Sequence, residues 1–204
     1  MRIGAADIAE LIARCHAEIE RHGEHLGALD SAIGDGDHGT NMRRGLDAVF
    51  AEREIIAAMP LPAALERIGL LLVMSIGGAA GPLYGTLLMQ LGRDLSPEAD
   101  LDAFAASLRK AIDAVAYRGR AAAGDKTLLD VLYPVQAEVV RRATPERIAA
   151  CAFSAARATE AMQARRGRAA YLGARSVGHE DPGASSCALL AATICVYLAE
   201  HRPS

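Results

Sequence analysis

Leu29-Asp30-Ser31-Ala32-Ile33-Gly34-Asp35-Gly36-Asp37-His38-Gly39-Thr40-Asn41 places three carboxylates within eight residues and separates them with glycines. Glycine permits the tight, positive-φ backbone that turns neighbouring acids toward one point. Converging carboxylates repel one another, so the arrangement makes best sense around a divalent cation. Magnesium suits it, because this hard ion takes a few carboxylates and completes its shell with phosphate and water oxygens. Calcium is the nearest competitor, but the EF-hand spacing and its terminal bidentate glutamate are missing. The same residues also read as a plain turn with solvated acids. Thr40 and Asn41 open a helix whose first amides can receive a phosphate.

Outward from this loop the pattern is helical. Ile8, Leu11, Ile12, Cys15, Ile19 and Leu26 recur at helical spacing before it. Ser96-Pro97-Glu98 and Thr144-Pro145-Glu146 each offer a capping hydroxyl, then proline, then an acid favourable to the helix dipole. The Ala-rich stretches lack the β-branched alternation of strands. The reading predicts about eight helices, over 5–27, 40–58, 61–76, 81–92, 97–117, 127–142, 145–164 and 185–200.

Composition agrees with an all-α fold. Hydrophobic residues make up 51% of the 204, aromatics only 4%, and Trp is absent, so Ala, Leu, Ile, Val and Met must build the core. Such small aliphatic residues suit closely packed helices. No linker or repeat divides the chain, and one domain over residues 1–204 is expected. A net charge of -3 gives no general pull toward nucleic acid or an anionic membrane. The four cysteines have no metal-finger spacing, and the N-terminal stretch carries charges within its apolar periodicity, so a cytoplasmic protein is expected. The apolar Cys187–Leu198 segment reads as a buried core helix, too short to span a bilayer.

Three more glycine-rich stretches fall between helices. Gly77-Gly78-Ala79-Ala80-Gly81 is bare backbone leading into a helix, able to offer N–H groups to an anion or to serve tight helix packing. It lacks the Gly-Lys-Ser/Thr ending of a Walker A loop. In Gly119–Leu128, Lys126 is placed to approach a phosphate and Leu128 to cover an apolar ring, while Asp125 and Lys126 equally suit a surface ion pair. The stretch from Arg165 to Ala184 is long for a loop, and its Leu, Val and Tyr argue for a folded flap over a ligand. His179 in it reads more readily as a loop-structuring residue than as a base. If the helices run up and down, alternate loops meet at one end, and all four share one site.

These four segments in this order resemble the L subunit, the nucleotide-binding domain, of dihydroxyacetone kinases, across nearly the whole chain. The resemblance implies an antiparallel eight-helix barrel with a nucleotide, ADP or ATP, and two magnesium ions at one end. It makes Asp30, Asp35 and Asp37 the magnesium ligands. It assigns nucleotide contacts to His38, Gly39, Thr40, Asn41, Ala79, Ala80, Gly119, Leu128, Arg168, Asp181, Pro182 and Gly183. Ala80 stands where the family often has Ser, and Leu128 where some members have Met. The nucleotide domain of bacterial fatty-acid kinases is a nearby relative, but its loop commonly reads DGDTGTNM, against DGDHGTNM here. The family places the hydroxyketone on a separate K subunit, through a histidine. It further implies that ADP stays bound as a cofactor, recharged by a phosphohistidine protein, of M type, from the sugar phosphotransferase system. A nucleotide-binding regulatory subunit without catalytic duty, an ATP-dependent subunit for another ketose and a purely structural bundle are the competing readings.

Overall fold

The computed structural model describes residues 3–96 and 98–201, which contain no strand. The helices are α1 (Ala5–Ile33), α2 (His38–Ala51), α3 (Arg53–Ala57), α4 (Leu61–Ser75), α5 (Ala80–Asp94), α6 (Leu101–Gly119), α7 (Leu129–Val140), α8 (Pro145–Ala158) and α9 (Pro182–Glu200). Each long helix packs on the next, from α1 through α2, α4, α5, α6, α7, α8 and α9, and α9 returns to α1. Eight staves therefore close into a barrel, and the five-residue α3 lies outside the ring against α1 and α4. Ile19, Leu26, Met42, Ile56, Ile112 and Val131 are essentially fully buried. Each such side chain contributes roughly 1.5–3 kcal/mol through removal from water.

The barrel needs close helix approach at the acidic end. A Cβ on Gly39 would lie 1.9 Å from the Gly23 carbonyl oxygen, so only glycine lets α2 seat against α1 there. α9 is long and apolar enough to cross a membrane by length and composition alone, with mean hydropathy 1.6. In this fold it is a stave, with Ala184, Cys187, Ala188, Ala192 and Cys195 buried among α1, α7 and α8.

Several boundaries differ from the sequence reading, each for a local reason. α1 runs six residues past 27, to Ile33, so Asp30 sits on its last turn rather than in a loop; Ser31 Oγ donates back to the Gly27 carbonyl at 2.9 Å. The helix expected over 40–58 breaks at Glu52, whose carboxylate is held by the Arg67 guanidinium at 2.7 and 2.8 Å. The helix expected from 97 starts at Leu101, because the Asp100 carboxylate takes the Ala103 N–H at 2.9 Å. Ser96 instead leads a turn, accepting the Ala99 N–H at 3.1 Å, and Pro97 lies outside the described residues. The Thr144 cap is as expected, its hydroxyl accepting the Arg147 N–H at 3.3 Å.

Candidate functional site

The connections 34–37, 76–79, 120–128 and 159–181 alternate with 52–60, 95–100 and 141–144, and residues of all four glycine-rich connections line one open cavity of about 650 Å³. Ring closure thus brings distant sequence segments to one end of the barrel.

On the acidic side, Asp30 projects from the end of α1, while Asp35 and Asp37 follow in the turn. One carboxylate oxygen from each comes within 4.8 Å of the others. Gly36, at φ 79°, supplies the left-handed residue that folds this turn. The Asp30 carboxylate also accepts the His38 N–H at 3.1 Å, which fixes its rotamer. Asp37 sits at the N-cap of α2 without using its carboxylate as a cap, so that group stays free for a ligand. The Arg168 guanidinium forms an ion pair with Asp35, laying the flap across the acids. An all-oxygen donor set of three carboxylates fits magnesium, and Arg168 supplies one positive charge beside it.

A second group, His16, Glu20 and Asp47, comes equally close together. It lies about 21 Å from Asp30 along α1, at the helical rise per residue. His16 there bonds Asp47 at 2.8 Å and stacks on Phe50 at 4.5 Å, so its partners are protein groups.

His38 is not a free base. Its Nε2 lies 2.9 Å from Ser186 Oγ, which lies 2.8 Å from the Tyr84 hydroxyl, and both hydroxyls reach the Gly183 carbonyl. Burial holds its pKa below the ordinary value, against the opposing pull of Asp30 and Asp37. The ring is therefore a neutral brace between the acidic loop and the start of α9. Asn41 is likewise fixed, its Oδ1 accepting Arg44 Nη2 at 2.6 Å.

Two helix starts at the cavity differ from the third. Neither Asp37 nor Ala79 gives its helix a side-chain cap; at α2 the Asp30 carboxylate already takes the His38 N–H, whereas the first-turn amides of α5 are available to an anion. A Cβ at Gly78 would meet nothing within 4 Å, which shows how open the backbone is there. α9 is already capped, with the Asp181 carboxylate accepting the Ala184 N–H at 2.7 Å. Burial pushes the Asp181 carboxyl up to about 7, although Lys126 and its backbone donors pull it down.

Of the expected nucleotide contacts, His38, Asn41, Ala79, Ala80, Gly119, Leu128, Arg168, Asp181, Pro182 and Gly183 line the cavity, with Asp30, Asp35 and Asp37. Gly39 and Thr40 do not line it, the first being taken up with the α1 contact. Lys126 departs from the sequence reading: it pairs with neither a surface acid nor an open anion site. Its Nζ is bound to two backbone carbonyls of the flap, and Asp125 instead faces Arg166 at 3.5 Å. Ser186, Tyr84 and Asp130 escaped the sequence reading. Only Asp130 carried a signal, Thr127-x-x-Asp130, the capping-box spacing. Its carboxylate takes the Thr127 N–H at 2.8 Å and the Gly124 N–H at 2.5 Å.

Fold and site together define an all-α barrel with an acidic cavity, bordered by helix starts, at one end. The DAK2 domain model matches residues 32–196, and the chain belongs to that family. It is 38% identical over 197 residues to the ADP-binding subunit of the PEP-dependent dihydroxyacetone kinase of Escherichia coli K12, covering 91% of this chain and 93% of that one. It is 39% identical over 217 residues to the D-erythrulose kinase of Mycolicibacterium smegmatis, covering 97% of this chain but 36% of that longer protein. The dihydroxyacetone kinase from C. freundii, solved in complex with AMP-PNP and Mg2+, shares the fold with a TM-score of 0.76 at 23% identity; the match spans 97% of this chain and 34% of that one.

Proposed function

We propose that this chain is the nucleotide-binding subunit of a dihydroxyacetone-type kinase, holding ADP or ATP with magnesium on Asp30, Asp35 and Asp37. The observation that carries the reading is the convergence of three carboxylates and the uncapped start of α5 on one cavity. Phosphoryl transfer asks a protein chiefly for positioning and charge neutralisation. Two magnesium ions, when bound, supply the neutralisation at the phosphate oxygens. The chain's own residues do the rest. The α5 amides orient the phosphates, Leu128 packs the nucleotide, and Arg168 brings the flap over the acids. The hydroxyketone sits on a separate K subunit.

The similarity to the E. coli ADP-binding subunit favours ADP as a resident cofactor. It is rephosphorylated in place by a phosphohistidine protein of the phosphotransferase system. One observation favours a second reading, the 39% identity to a D-erythrulose kinase, in which the subunit serves a four-carbon ketose and takes ATP directly. Purified chain with K subunit, each ketone and labelled donor separates the two. Transfer that requires the phosphotransferase components supports the first reading. Multiple turnovers on ATP alone, with rapid exchange of bound ADP, support the second, and no transfer under any donor contradicts both.

A further inference from the structure

Lys126 is 1% exposed, although it lies along the wall of the open cavity. Its ammonium donates to the carbonyl of Met162 at 3.1 Å and to that of Ser176 at 2.5 Å. Those two residues lie near opposite ends of the flap. Ser176 completes the tie, its hydroxyl accepting the Ala164 N–H at 2.9 Å and donating to the Gly173 carbonyl at 2.6 Å. The Arg165 N–H also bonds the Asp125 carbonyl at 3.1 Å, one residue before Lys126. Lys126 itself holds a left-handed backbone at φ 63°, uncommon for a residue with a side chain. Burying an ammonium is costly, and an apolar chain of the same length would fill the space without that cost. Carbonyl acceptors on two separated flap segments are what an apolar chain cannot join.

We propose that Lys126 is the positioning residue of the flap, a latch that clamps its outgoing and returning arms to the loop carrying Thr127 and Leu128. Arg168 lies between the clamped arms, so the latch sets where its guanidinium falls over the acids. Lys126 lines the cavity, but its ammonium is engaged with the two carbonyls, so it acts on nucleotide residence through the flap. This inference rests on the proposed nucleotide site, and its test contains a part that does not.

The test compares parent, Lys126→Met, Arg168→Ala and the double variant. Two quantities are read: ADP dissociation with magnesium present, and tryptic cleavage at Arg165, Arg166 and Arg175, sites present in all four proteins, without nucleotide. Lys126→Met keeps the chain length and removes the donors. It is expected to speed flap cleavage and ADP release about tenfold or more, since loss of even one of the two charge-assisted hydrogen bonds is enough for that factor. Arg168→Ala on top of it is expected to add less than it does in the parent, because both act through one flap. A purely structural lysine would lower stability without that coupling. Lys126→Gln, shorter and uncharged, takes the place of Lys126→Met if the latter does not fold. Release and cleavage within twofold of the parent in a folded variant would overturn the latch. A parent that binds no ADP would instead sink the proposed function, while flap cleavage still decides the latch.

Discussion

Asp181 shows how one residue at this site serves two demands. It caps α9 through the Ala184 N–H and borders the cavity, so its carboxyl is held to about 7, from an ordinary 3.8, mainly by burial. Between those values the folded chain keeps a proton that the unfolded chain has released. The native state then binds more protons, and stability falls as pH rises through that window, the loss being complete above about 7. Asp181→Asn keeps the cap geometry and removes the titration. Urea unfolding between pH 4.5 and 8 is expected to show a shallower decline in the variant than in the parent; parallel curves would remove Asp181 from the pH response. The convergence of Asp30, Asp35 and Asp37 was legible in the sequence because glycine-separated aspartates are a local pattern. Ser186 and Tyr84 were not, since their link to His38 exists only once α9 and α5 close on α2.

At the scale of elements, local capping chemistry decided which boundaries could be read. Thr144-Pro145-Glu146 carries its whole cap within four residues, and α8 starts there. Ser96-Pro97-Glu98 has the same form, yet α6 starts at Leu101 because Asp100, nearer the apolar face of Phe104 and Leu108, wins the competition. Thr144→Ala is expected to cost about 0.5–2 kcal/mol of stability, by denaturant unfolding, and to leave ADP affinity unchanged. A matching loss of affinity would mean that the far end of the barrel reports on the site. The flap, read as ordered from its Leu, Val and Tyr, is indeed folded, with 3-10 turns over Arg168–Ser176, whereas the helix expected over 145–164 ends at Ala158 and gives way to a 3-10 turn at Thr159–Ala161. Its anchor was misread, because sequence shows that Lys126 is charged and not that its ammonium is turned inward. Arg168→Ala is expected to accelerate ADP release more than it slows binding, since its guanidinium is the flap's contact with Asp35. Equal dissociation in stopped-flow measurements of variant and parent would place Arg168 outside the site.

For the whole molecule, the consequence of an eight-stave ring is that four of its seven connections open on the same end. That convergence turns four weak local motifs into one site, and counting helices was enough to anticipate it. This end of the barrel is expected to hold a nucleotide through magnesium on the acidic loop. Calorimetric titration of ADP into the purified chain, with magnesium and then with chelator, tests it most directly, with Asp37→Asn run alongside. Tight binding is expected only with magnesium and is nearly abolished in Asp37→Asn, whose thermal unfolding without nucleotide is unchanged or raised by relief of carboxylate repulsion. ADP binding of equal strength without magnesium, or undiminished in Asp37→Asn, would contradict it.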